Sequence, residues 1–148
     1  MPKCEVRDWV DVYHVQRSVA AFAGTLGFGR RERTELAIVA SELTSNILKY
    51  GVRGSIEMGA IRDATGSGLE LVAADIGPPF RNLAAAVQDG WDDQGPIDPL
   101  EMLRRGGIGG GLGAVLRLTH SFRVENEAGG KKVHVVRYLS RRVPGAFR

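Results

Sequence analysis

The sequence predicts an α+β fold: a two-layer α/β sandwich with helices stacked on one face of a mixed, mostly antiparallel sheet. Three observations carry this. Apolar residues recur at spacings of three and four through the first third of the chain, two pairs of β-rich segments each bracket a tight turn, and a run of glycines leads into a short apolar helix between those pairs. At 148 residues, 43% hydrophobic and 25% charged, the chain is long enough for one domain with a proper core and too ordinary for general disorder. A single domain over residues 1–140 with a loose tail over 141–148 is expected, without internal repeats.

In chain order, a short strand is expected near Cys4 to Trp9. A helix then runs from about Asp11 to Leu26, with Val15, Val19, Phe22 and Leu26 apolar and Gly27 as its stop. A second helix, about Arg31 to Tyr50, carries the core stripe Leu36, Val39, Leu43, Ile47 and Tyr50 and ends at Gly51. "SIEMGAIR" and "LELVAAD" read as strands of a hairpin turned at Asp63 to Gly68. The stretch from Ile76 to Gly113 is mostly irregular, with a short helix around Asn82 to Gln88 and a turn at Pro99 to Arg104; so long a connection in a compact domain is usually functional. Leu112 to Thr119 is helical, and "SFRVENEAGGKKVHVVRYL" gives two strands around Ala-Gly-Gly.

Composition removes several function classes. No apolar run approaches the length of a membrane span, and "MPKCEVRDWV" lacks the basic-then-apolar layout of a signal peptide, so a cytoplasmic protein is expected. Cys4 is the only cysteine, which rules out an intrachain disulfide and a thiolate metal cage; His14, His120 and His134 show no ligand spacing. The net charge of +3 is spread along the chain around no known nucleic-acid module, so solvated surface explains it better than a nucleic-acid partner.

Three stretches carry chemistry. In "ASELTSNILKYG", Glu42, Asn46 and Lys49 repeat the helical spacing of the core stripe offset by one residue, so they share a neighbouring face. A solvated helix edge is the plain alternative. In "AADIGPPF", Asp75 ends an apolar strand just before Gly77; it either caps a turn or offers a carboxylate at the sheet rim to an exocyclic amine such as that of adenine. In "GGIGGGLGAVLRL", glycines run into a helix start, where backbone N–H groups suit phosphate; the loop matches neither the Walker pattern nor a Rossmann fingerprint.

Taken in order, E-x-x-x-N on a helix, D-x-G at a strand end and a glycine-rich loop opening a helix resemble the Bergerat-fold (GHKL) ATPase and kinase superfamily. Within it, "LGFG", "SELTSNILKYG", "DIGPP", "QDGW" and "GGIGGGLGAVLRL" are most similar to the anti-sigma regulatory serine kinases, in particular the stressosome switch kinases, over most of the chain. The resemblance implies an ATP- and Mg²⁺-dependent serine/threonine kinase acting on a STAS-domain antagonist protein in a partner-switching pathway. It implies Glu42 as general base, Asn46 as the Mg²⁺ ligand and Lys49 near the phosphates. Asp75 would take the adenine amine and Gly77 pack by the base, while Gly107, Gly109, Gly111, Leu112 and Gly113 close on the phosphates. Further partners would be a phosphatase or a sigma factor, with no direct nucleic acid and no membrane, and the chain a monomer or a homodimer. The alternative is an anti-sigma factor or binding module with weak or no kinase activity. A detached histidine-kinase ATPase domain is disfavoured, because no phosphoacceptor helix pair lies upstream. Three departures bear on nucleotide binding: Pro79 stands where the family has a second glycine, Gly130-Lys131 where it has Gly-Thr, and Asp92 to Arg105, in the expected lid, is long.

Overall fold

The chain turns sharply after its first strand because two aspartates take up the backbone there. In a computed structural model, which describes residues 2–77, 91–92, 95–96 and 111–144, strand β1 is Lys3–Val6. The Asp11 carboxylate accepts hydrogen bonds from the Arg7 and Asp8 N–H groups, and Asp8 Oδ1 accepts one from Val10 N–H. This turn stops the strand three residues short of the expected Trp9 and leaves Trp9, Val10 and Tyr13 exposed.

Helix α1, Asp11–Thr25, buries Val15, Val19 and Ala23 and leaves Phe22 and Leu26 only partly covered. Gly27, at φ +98°, supplies the left-handed residue that ends it. Helix α2, Arg30–Tyr50, starts with the Glu32 carboxylate accepting from the Gly29 N–H, one half of a capping box, since Gly29 has no side chain to complete it. Of its expected stripe, Leu36, Val39, Leu43 and Ile47 are buried, each side chain contributing about 1.5–3 kcal/mol, while Tyr50 at the helix end is only partly covered.

Strands β2 (Arg53–Arg62) and β3 (Ser67–Ile76) form the expected hairpin, each starting two residues earlier than the sequence suggested. The Asp63 carboxylate holds their turn by accepting from Thr65 N–H, with Gly66 at φ +148°. β4 (Trp91–Asp92) and β5 (Gly95–Pro96) pair in a small separate ribbon. Helix α3 (Leu112–Leu118) leads into β6 (Ser121–Glu127) and β7 (Gly130–Tyr138), turned through Gly129 at φ +79°.

The main sheet has the order β1-β2-β3-β7-β6, and every described pairing is antiparallel. Register and alternation put Ile56 and Met58, Leu69, Leu71 and Ala73, and Val133 and Val135 on the face covered by the helices. Glu57, Glu70 and Lys132 point the other way. The two-layer α+β sandwich expected from the sequence is therefore observed. The described part of the expected loose tail, residues 141–144, is held in place: Arg141 donates to the Thr65 carbonyl, the Arg142 carbonyl is bonded to His120 Nε2, and Val143 is buried. The helix expected at Asn82–Gln88, the turn at Pro99–Arg104, Pro79 and most of the long lid segment lie outside the described residues. Among the described residues no helix is long and apolar enough to cross a membrane.

Candidate functional site

The C-terminal half of α2 lies on the ends of β2 and β3, and this contact assembles the site. It is close because glycines line it. A Cβ on Gly54 would come within 2.9 Å of the Ile47 side chain, and one on Gly51 within 3.2 Å of the Asp75 carboxyl carbon. A Cβ on Gly77 would stand 2.8 Å from Gly51 Cα and 2.9 Å from the Tyr50 carbonyl oxygen. Gly77 is therefore required by the approach of the strand end to the helix end, a reason independent of any base beside it.

Along α2, Glu42, Asn46 and Lys49 descend toward that contact. At 1.5 Å per residue, Glu42 is about 6 Å along the axis from Asn46 and about 13 Å from Gly51. Glu42 is 5% exposed, so a solvated helix edge does not describe it. Asn46 and Lys49 are half-buried. The Asn46 Nδ2 atom is buried without a hydrogen-bond partner among the described residues, and Asp75 Oδ1 is in the same condition. Native proteins leave few such atoms, since each costs about 1–3 kcal/mol. Two of them, one on α2 and one near the end of β3, are candidates for polar groups from elsewhere. The Asn46 amide fits an ATP–Mg²⁺ complex: Nδ2 can donate to a phosphate oxygen, and a half-turn of the amide presents Oδ1 to a hard cation. Among the described residues, no group of three or more His, Cys, Asp and Glu could hold a metal ion.

Asp75 also has a partner whose position only the strand register reveals. Lys131, directly opposite it on β7, places Nζ 2.8 Å from Asp75 Oδ2, with the two side chains 2% and 4% exposed. Burial outweighs this neighbour and holds the Asp75 carboxyl above the usual carboxylate range, with the lysine pulling it back down. The period-2 pattern Lys131, Val133, Val135, Arg137 was the available signal that Lys131 faces inward. The same pattern buries Arg137, whose guanidinium lies 3.5 Å from Glu35 and donates to the Leu118 carbonyl.

At the glycine loop, Gly111 starts α3 at φ +64°, a left-handed conformation that favours glycine. Leu112 and Gly113 are buried, and the Leu112 side chain belongs to the hydrophobic core. What Leu112 has to offer a phosphate is thus its backbone. Gly107 and Gly109 lie outside the described residues.

Comparisons with known proteins bear on the family and the fold. A family model described as histidine kinase-like ATPase domain matches residues 7–137. The serine/threonine-protein kinase RsbT of Bacillus subtilis is 30% identical over 118 residues, covering 79% of this chain and 80% of RsbT. Among solved structures, the SiaB-SiaC complex from Pseudomonas aeruginosa contains a chain that superposes with a TM-score of 0.56 at 13% identity, over 93% of this chain and 89% of that one, which is a likeness of fold.

Proposed function

Because this chain belongs to the histidine kinase-like ATPase domain family, we propose that it is an ATP-dependent serine/threonine kinase of a partner-switching pathway, acting on a STAS-domain antagonist protein. The observation that carries the reading is a pair of buried polar atoms without hydrogen-bond partners among the described residues, Asn46 Nδ2 on α2 and Asp75 Oδ1 near the end of β3. One lies where phosphates and Mg²⁺ are expected and the other where an exocyclic amine is.

In this reading Asp75 accepts a hydrogen bond from the adenine amine, and the α2 face carries the phosphates toward Glu42. Asn46 would hold Mg²⁺, which when bound would supply charge neutralisation on the phosphates. Glu42 accepts the proton of the attacking serine or threonine hydroxyl, whose oxygen bonds to the γ-phosphorus as the bond to the ADP oxygen breaks. Lys49, a turn beyond Asn46, adds positive charge near the phosphates, and Gly111 with the backbone of Leu112 and Gly113 closes on them. Phosphoryl transfer demands mainly positioning and electrostatics, and these residues provide both. A cytoplasmic setting follows from such a pathway.

Incubation with a STAS-domain protein, ATP and Mg²⁺ tests the proposal. Phosphate on a serine or threonine, lost in Glu42→Ala, is the expected result; no transfer, or transfer unaffected by that substitution, overturns it. A second reading, a binding module that holds a sigma factor or other partner without transferring phosphate, is favoured by one observation: Lys131 already occupies one oxygen of Asp75. Co-purification with a sigma factor in the absence of transfer would establish it.

A further inference from the structure

The Asp75–Lys131 pair calls for a physical account, because two charges this deeply buried are costly to desolvate. The surroundings of Asp75 show what the lysine does. On one side its cross-strand neighbour is Gly54, which has no side chain; on the other it is Lys131. The end of α2 meets it through Gly51, also without a side chain. Among its cross-strand neighbours, only Lys131 can fix the orientation of the carboxylate, and it does so through Oδ2. Oδ1 is left buried, without a partner among the described residues.

We propose that Lys131 is a positioning residue for base recognition: it anchors Asp75 through Oδ2 and so presents Oδ1 as the acceptor for the exocyclic amine of a purine nucleotide. The inference rests on the ATP-binding reading and assigns the recognition of the base to two residues acting together. A carboxylate held by an ammonium through one oxygen keeps one rotamer, so its other oxygen is a directed acceptor. Without the lysine the same carboxylate would lose its charged partner in a site where burial already favours the protonated form. A protonated or rotating carboxyl discriminates poorly between a base that carries the amine and one that does not.

The test compares two nucleotides by calorimetry, ATP and purine riboside 5′-triphosphate, which lacks the 6-amino group. Wild type, Lys131→Met and Lys131→Gln are measured, with circular dichroism to show that each is folded. The wild type should prefer ATP by at least ~10-fold, the weight of one charge-assisted hydrogen bond. Lys131→Met should lose most of that preference through weaker ATP binding, with the analogue little changed, and Lys131→Gln, which keeps a donor of similar reach, should retain part of it. A merely structural role would weaken both nucleotides alike, so equal losses overturn the proposal. So does Lys131→Met binding ATP as tightly as the wild type or more tightly, which would make the lysine an occupant that the base displaces. If Lys131→Met fails to fold, a reduced but retained preference in Lys131→Gln, through weaker ATP binding with the analogue little changed, supports the proposal, and an undiminished preference or equal loss for both nucleotides overturns it. A wild type that binds both nucleotides equally overturns this inference and leaves the ATP reading standing, as does binding of ATP by a variant and not by the wild type. Folded proteins that bind no nucleotide in any form overturn both.

Discussion

Asn46→Leu should make the protein more stable and less able to use Mg²⁺. In the free chain the Asn46 Nδ2 atom is buried without a hydrogen-bond partner among the described residues. An orphan of this kind costs about 1–3 kcal/mol, and leucine has the branching and side-chain heavy-atom count of asparagine, though a larger volume, with no polar atom to satisfy. Leucine is also the better helix former at an interior position of α2, by a few tenths of a kcal/mol. Allowing for imperfect packing of a half-buried side chain, the net gain should be about 1 kcal/mol, or roughly 2–4 °C in Tm for a chain of this length. Urea unfolding of the free protein measures the gain, and calorimetry with ATP in the presence and absence of Mg²⁺ measures the loss. Stabilisation together with loss of the Mg²⁺-dependent part of binding is the signature of a group kept at the cost of stability for function. Destabilisation by 1 kcal/mol or more, with the Mg²⁺ effect intact, would refute the reasoning.

Other consequences follow from the same packing. Glu42→Ala should lower the phosphotransfer rate by about 10²–10⁴-fold while ATP affinity changes little, as expected of a proton acceptor; single-turnover transfer and calorimetry separate the two. Glu35→Ala should cost about 3 kcal/mol in urea unfolding, because it strips Arg137, whose side chain is 5% exposed, of its carboxylate, and Glu35→Ala with Arg137→Met should cost less than the sum. Gly54→Ala should destabilise by about 3 kcal/mol, since the new Cβ would stand 2.2 Å from the Ala74 carbonyl oxygen. His120 gives a pH dependence. Its Nδ1 accepts from the Tyr138 N–H, and burial holds its pKa below the ordinary 6.5. The unfolded chain therefore takes up the proton first, so this part of the stability is complete above about pH 6.5 and is lost as the pH falls toward the folded pKa. Urea midpoints from pH 7 to 5 should fall in the wild type and fall less in His120→Gln.

Local periodicity made much of this structure legible. The α2 stripe, the neighbouring face of Glu42, Asn46 and Lys49, and the two hairpins all follow from spacing within a single element, and each stands where the spacing puts it. What escaped depends on contacts between distant segments. Ser41, Thr44 and Ser45 are buried because α1, the sheet and α3 surround α2 on more sides than one stripe implies; Thr44 satisfies its hydroxyl on the Ala40 carbonyl. Lys131 was legible as a lost hydroxyl, but its placement opposite Asp75 is a matter of register between strands far apart in sequence. Leu112 was expected with the phosphate loop; its side chain serves the core, as an apolar residue at a helix start against α2 will.

The central claim, a nucleotide site spanning from Asp75 to the α2 face, is tested most directly by ATP and ADP binding in calorimetry, with and without Mg²⁺, on the wild type and on Asp75→Asn. The account predicts wild-type binding that Mg²⁺ strengthens for ATP and that Asp75→Asn weakens by at least ~10-fold, the cost of one charge-assisted hydrogen bond to the base. Absence of binding by the folded wild type, or binding indifferent to Asp75, would contradict it.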